Sequence, residues 1–335
     1  MSGATSRTPR AAAVRPRRRA PGDPEGPSRA DVRAGRWVRT SRGLYVPRGV
    51  DRTAPVQRIL EAGAVLPDSP SAAVTGWAAL RWLGAEWLDG LAPGGVLVEV
   101  DLVTTVRDIR PRPGVRLSAE RLDPAEVVVV DGLPVTVAAR SVCFVLRHAV
   151  DDRAAVEVGE TALHAGLCSL AEVTAYASML PGWTGIPRAR ERLALMAEGS
   201  ASPGETAMRL IWELDAGLGR PLRNVPVFTR DARHVATVDL LDPVAGLVGE
   251  YDGRDHLRLD RRRRDLRRES ELRSLGLEYV TMVAGDRHRR QAMAQRILDA
   301  HRRTRRVPPG DRPWTLEQPE WWKRREAQRR ARRTA

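Results

Sequence analysis

The chain carries only two cysteines, Cys143 and Cys168, in 335 residues. Two thiols cannot build a disulfide framework or a structural zinc site. They read as small core residues in a reducing compartment. Lysine is scarcer still: Lys323 stands alone against 55 arginines. That imbalance reads as a bias of the whole composition, and no lysine stands near any of the acidic strands described below. No apolar run is long enough to cross a bilayer. The basic N-terminus is not followed by an apolar stretch, which excludes a secretory signal. These absences predict a soluble, cytoplasmic protein with no membrane partner.

Positive charge is abundant but unevenly placed. The formal net charge is +14. Residues 1–50 contribute +9 and residues 286–335 contribute +10, which leaves −5 for the long middle. Basic ends favour contact with phosphate backbones; the plainer reading is a pair of solvated arginine-rich tails. Residues 1–29, rich in Pro, Arg, Ala and Gly, read as disordered.

A helical stub and two short antiparallel strands follow, with "TSRG" as the turn. "APVQRILEAG" places Val56, Ile59 and Leu60 on one helical face. "SPSAAVTGWAALRWLG" reads as a second helix ending at Gly84. Trp77, Trp82 and Trp87 read as core. "GGVLVEVDLVT" and "EVVVVDGLPVTV" are strand candidates. Helices are expected over 139–149, 153–166, 169–178 and 187–198. "EGSASPGE" then marks a boundary. The next helix, about 204–217, should turn Met208, Ile211, Leu214 and Leu218 inward. From there the order is helix, strand, strand, strand, helix, strand, with Met293 and Ile297 marking one more amphipathic helix. The fold class expected is α/β of the α+β kind. Its domains are a basic tail (1–29), a small strand-bearing segment (30–53), a mixed middle domain (54–200), a mixed-sheet domain (201–300) and a second basic tail (301–335).

The acidic residues of the second mixed domain carry the chemistry. "VATVDLLD" and "GLVGEYD" form a natural hairpin. If Gly246 joins the turn, Asp239 falls opposite Glu250. Alternation puts Glu250 and Asp252 on one face. Three converging carboxylates are costly to bury unpaired. Arginine pairing would relieve the cost; so would a hard divalent cation such as Mg²⁺ or Mn²⁺. Glu205, in the first turn of the preceding helix, suits the helix dipole and could extend the cluster. His256, past Gly253, is a candidate proton carrier.

"SPGETAMRLIWELDAGLGRP", "VDLLDPVAGLVGEYDGRDH" and "DLRRESELRSLGLEYV" resemble the PD-(D/E)XK nuclease superfamily, in particular its very-short-patch-repair-endonuclease-like branch. The resemblance spans about residues 200–290. It implies a restriction-endonuclease-like mixed sheet flanked by helices. It maps Glu205 onto the family's helical glutamate and Asp239 onto the metal-binding aspartate. Glu250, Asp252, Gly253 and His256 fall on its E-x-D-G-x-x-H segment, and Asp265 opens the next helix. It implies Mg²⁺-dependent cleavage of DNA, with Asp239 and Glu250 on the metal. The chain departs at Asp252, which stands where the superfamily usually has lysine.

The run "RLDRRRRDLRRESELR" is either a solvated, partly paired helix or a phosphate clamp beside the acids. Arg254, Arg258, Arg261 and Arg264 are its candidate DNA contacts. In the N-terminal half, "VRAGRWVRTSRGLYVP" resembles the wing of the winged-helix module of AbiEi-type antitoxins, with Arg36, Arg39 and Arg42 suited to phosphate contact. That resemblance implies DNA binding and a toxin partner. The two function classes expected are therefore a DNA-associated endonuclease and a non-catalytic, antitoxin-like regulator with an inert nuclease fold.

Overall fold

Glycine and proline interrupt the chain often, 28 and 24 times, so helices and strands are short and alternate. The computed structural model describes residues 13–19, 25–92, 94–105, 109, 112–253 and 259–334; the side chains of 259–265, 330, 333 and 334 lie outside it. The protein is α+β. It divides into two units, Met1–Glu198 and Gly199–Ala335.

The first unit opens with β1 (Arg17–Arg18), α1 (Arg29–Arg33), β2 (Trp37–Ser41) and β3 (Leu44–Pro47). These strands form a three-stranded antiparallel sheet in the order β1-β3-β2. Part of the segment expected to be disordered is thus in a sheet: Arg17 pairs with Tyr45 and Arg18 with Leu44. The Gln57 side chain also clamps the Val14 backbone, accepting its N–H at 2.8 Å and donating to its carbonyl at 3.0 Å. Backbone pairing needs no apolar side chain, so composition gave no sign of it.

The rest of the unit comprises α2 (Pro55–Gly63), β4 (Ala72–Thr75), α3 (Gly76–Leu83), β5 (Leu91–Ala92), β6 (Val96–Leu97), β7 (Val100–Thr104), β8 (Val115–Ser118), β9 (Val127–Val130), β10 (Leu133–Thr136), α4 (Ala138–His148), α5 (Asp152–His164), α6 (Leu170–Ser178) and α7 (Ile186–Leu195). A five-stranded sheet runs β8-β7-β4-β10-β9. Its centre, β4, occupies residues that helical spacing had assigned to a helix. All four β4 residues are buried, and Gly76, at φ +63°, makes the turn into α3. A strand covered on both faces has no alternation to betray it. Trp77 and Trp82 are core, as expected, but Trp87 is half exposed. Cys143 is buried and Cys168 partly so; burial pushes both thiols up to about 11.

The second unit begins with α8 (Pro203–Leu210), capped by Ser202. It continues into one π turn, Ile211–Asp215. Then come β11 (Leu222–Thr229), β12 (His234–Asp242), β13 (Leu247–Asp252), α9 (Leu259–Ser274), β14 (Glu278–Val283), α10 (Arg290–Arg303), β15 (Trp314–Thr315) and α11 (Glu320–Thr334). The sheet order is β14-β13-β12-β11-β15. Only β13 and β14 are parallel, and α9 is the crossover between them. One core joins α8, the π turn and α10 to the sheet through Met208, Trp212, Met293 and Ile297. The other joins α9 to it through Leu272, Val238, Val248 and Tyr279.

The inward face of this helix differs from the expected one. Trp212, four residues after buried Met208, is fully buried, and Leu214, six after it, is 45% exposed. Residues 301–335, expected as a tail, are built into this unit. β15 adds to β11 through Phe228↔Thr315 and Thr229↔Trp314. Trp322 of α11 packs edge-on to Phe228 at 5.3 Å and stacks on His234 at 4.4 Å.

Candidate acidic site on the second unit

Gly246, at φ +75°, closes the β12–β13 turn, and its N–H bonds the Asp242 carbonyl at 2.9 Å. The hairpin register runs Asp242↔Leu247, Leu241↔Val248, Leu240↔Gly249. One step further puts Asp239 across from Glu250, and there the backbone pairing stops. The Asp239 carboxylate replaces it: Oδ2 accepts the Tyr251 N–H at 2.8 Å. Alternation is broken here too. Val238 lies in the α9-side core and Leu240 in the α8-side core, yet Leu241 is back on the α9 side. Asp239 therefore sits at a local kink between the two strands. Its neighbour on β11, Asn224, is left-handed at φ +45°, a conformation asparagine tolerates better than most residues.

Asn224 ties the third carboxylate to this kink. Its amide donates to Glu205 Oε2 at 2.7 Å and to the Gly199 carbonyl at 2.7 Å. Glu205 also accepts the Ala201 N–H at 2.8 Å and the Ser202 hydroxyl at 3.0 Å, while its own N–H bonds Ser202 Oγ. Glu205 is thus a capping residue of α8 as well as a member of the cluster. Close packing holds the group together. A Cβ on Gly204 would fall 1.9 Å from the Tyr251 ring, and one on Gly249 would fall 2.8 Å from Met208.

Glu250 is buried, and its partner is Arg268 on α9, whose Nη2 bonds Oε2. Leu272, fully buried four residues later, turns that helical face toward the sheet. The Arg268 guanidinium also lies beside the buried Tyr279. The pairing is incomplete: Glu250 Oε1 and Arg268 Nε are both buried with no hydrogen-bond partner among the described residues. Such orphans are rare in folded proteins.

The electrostatics follow from this crowding. Burial, and then the Glu205 carboxylate, push Asp239 up to about 7. Burial, and then Asp239, push Glu250 up to about 8 in spite of Arg268. Three acids face one guanidinium; Glu205 and Glu250 are buried and Asp239 is half-buried. A hard cation suits that donor set, and Glu250 Oε1 is the open atom for it. Glu205 is not a third ligand, because both its oxygens are engaged. No group of three or more His, Cys, Asp or Glu is placed to hold a metal among the described residues. An ion here would therefore have only Asp239 and Glu250 to hold it and would keep much of its water, as Mg²⁺ commonly does.

The other expected residues fall less tidily. Asp252 pairs with Val283 at the end of β13, half-buried and on the Glu250 side by alternation. Arg254, His256 and Arg258 lie outside the described residues, and the side chains of Arg261, Arg264 and Asp265 likewise. In the first unit, exposed Arg36 is engaged with Asp31 and Arg39 with the Ser41 carbonyl; Arg42 is exposed. Sequence reasoning missed the pairing of Arg268, which had been grouped with a run read either as a solvated helix or as a phosphate clamp. Its spacing from Leu272 was the available signal. Asn224 gave none.

No protein-family model matches the chain, and neither a curated protein nor a solved structure matches it.

Proposed function

We propose that the second unit is a divalent-ion-dependent nuclease domain acting on DNA phosphodiesters, of the PD-(D/E)XK kind. The observation that carries the reading is the buried, unpartnered Glu250 Oε1 in a cluster where Glu205 raises the cost of ionising Asp239, and Asp239 that of ionising Glu250. Asp239 and Glu250 would hold Mg²⁺ or Mn²⁺, which when bound polarises a phosphate and lowers the pKa of its water. The chain's own groups prepare that seat. The Tyr251 N–H fixes the Asp239 carboxylate, and Asn224 holds Glu205 against the kink. In this reading Asp252 flanks the site and His256 carries a proton. Arg254, Arg258, Arg261 and Arg264 hold the DNA backbone. The first unit supplies AbiEi-like DNA contacts through Arg36, Arg39 and Arg42, in a cytoplasmic protein.

A specific observation favours a second reading. Asp252 stands where a lysine would serve catalysis, and Arg268 already neutralises part of the acidic cluster. An inert nuclease fold in an antitoxin-like DNA-binding regulator, with a toxin as partner, accommodates both. The two readings part in one assay. Supercoiled plasmid, mismatched duplex and single-stranded DNA are incubated with Mg²⁺ or Mn²⁺, using Asp239→Asn/Glu250→Gln as control. A nuclease cuts at least one substrate, only with the ion, and the double variant loses about 10²-fold or more. Ion-independent binding with no cutting supports the regulator.

A further inference from the structure

Resting on the nuclease reading, we infer that Arg268 exchanges partners: its guanidinium holds Glu250 in the resting site and turns to a substrate phosphodiester when a divalent ion takes the carboxylate. Three features of the resting site support this. The contact uses one edge of the guanidinium, Nη2 on Oε2, and leaves Nε and Glu250 Oε1 without partners. A permanent arginine–carboxylate pair is normally bidentate and fully satisfied. The Arg268 side chain is 33% exposed while that of Glu250 is 9% exposed, so the cation, and not the acid, has a route to solvent. Finally, three carboxyl groups face a single guanidinium, so Arg268 leaves acidic oxygen in the cluster unpaired.

An ion entering at Oε1 lies beside a cation on Oε2 of the same carboxylate. The two repel, and the burial of the carboxylate they share strengthens the repulsion. The ion also takes the negative charge that held Arg268. The freed guanidinium has unused N–H donors in a planar fork, the geometry that recognises phosphate. Leu272 keeps α9 in place, so the side chain swings while the helix stays. The site thereby gains a cationic phosphate contact from α9, in a strand segment where Asp252 replaces lysine.

The test couples two measurements on the full chain. MnCl₂ is titrated calorimetrically into wild type, Arg268→Met and Arg268→Gln without DNA. Binding of a labelled duplex is then compared in EDTA and in Ca²⁺. Removing the competing charge is expected to tighten Mn²⁺ binding by about tenfold. The Ca²⁺-dependent gain in duplex affinity shown by wild type should fall by about tenfold in both variants. Arg268→Gln keeps a donor for Oε2 and so covers the case in which Arg268→Met does not fold. Equal or weaker Mn²⁺ binding by the variants, with wild type binding the ion, overturns the exchange alone. A wild type that binds no ion overturns the exchange and the nuclease reading together.

Discussion

At the scale of single residues, the second unit concentrates its cost in Asp239 and Glu250. Both carboxyls titrate well above their ordinary values of 3.8 and 4.5. Between about pH 4 and about pH 8, an unfolded chain has released protons that the folded site retains. The ion-free protein must therefore lose stability as pH rises through that window. Asp239→Asn removes one of the charges, yet its amide oxygen can still accept the Tyr251 N–H. The variant is expected to exceed wild type at pH 8 by on the order of 1–2 kcal/mol and to match it below pH 4. Thermal unfolding in chelator across that range checks this; parallel profiles for the two proteins would contradict it. The acids themselves were legible in the sequence, because an apolar strand interrupted at Glu250 and Asp252 demands an explanation. Their true arrangement was not. Alternation presumes a regular strand, and the kink at Asp239 and Asn224 breaks it.

At the scale of elements, periodicity served well where one face is apolar and the other is wet. The helices α4 to α7 fall close to their expected ranges for that reason. It failed at β4, buried on both faces, and after Met208, where Trp212 and not Leu214 faces the core. It also failed at the C-terminal segment, where arginine dominates composition but a few aromatics set the packing. Trp314 and Trp322 are 4% and 8% exposed, and Phe228 beneath them is fully buried. Deleting residues 310–335 should uncover this cluster and cost about 3–5 kcal/mol, the burial of two large aromatic side chains. Hydrogen exchange at the β11 amides should then accelerate by about 10²-fold or more. Unchanged protection along Leu222–Thr229 would mean that β15 and α11 add nothing to the sheet.

At the scale of the whole molecule, the charge distribution and the site pull in one direction. The two ends carry the positive charge, and the last of them is anchored on the sheet that holds the acids. The acids in turn need a cation, which Arg268 supplies in part. The most direct measurement is a calorimetric Mn²⁺ titration of the full chain in buffers of differing ionisation enthalpy. Seating the ion on Asp239 and Glu250 must displace the protons that crowding keeps there. About one or more protons should leave per ion near pH 6.5, and the release should fade toward pH 9. Binding whose heat is the same in every buffer, or no binding at all, would contradict an ion seat between these strands.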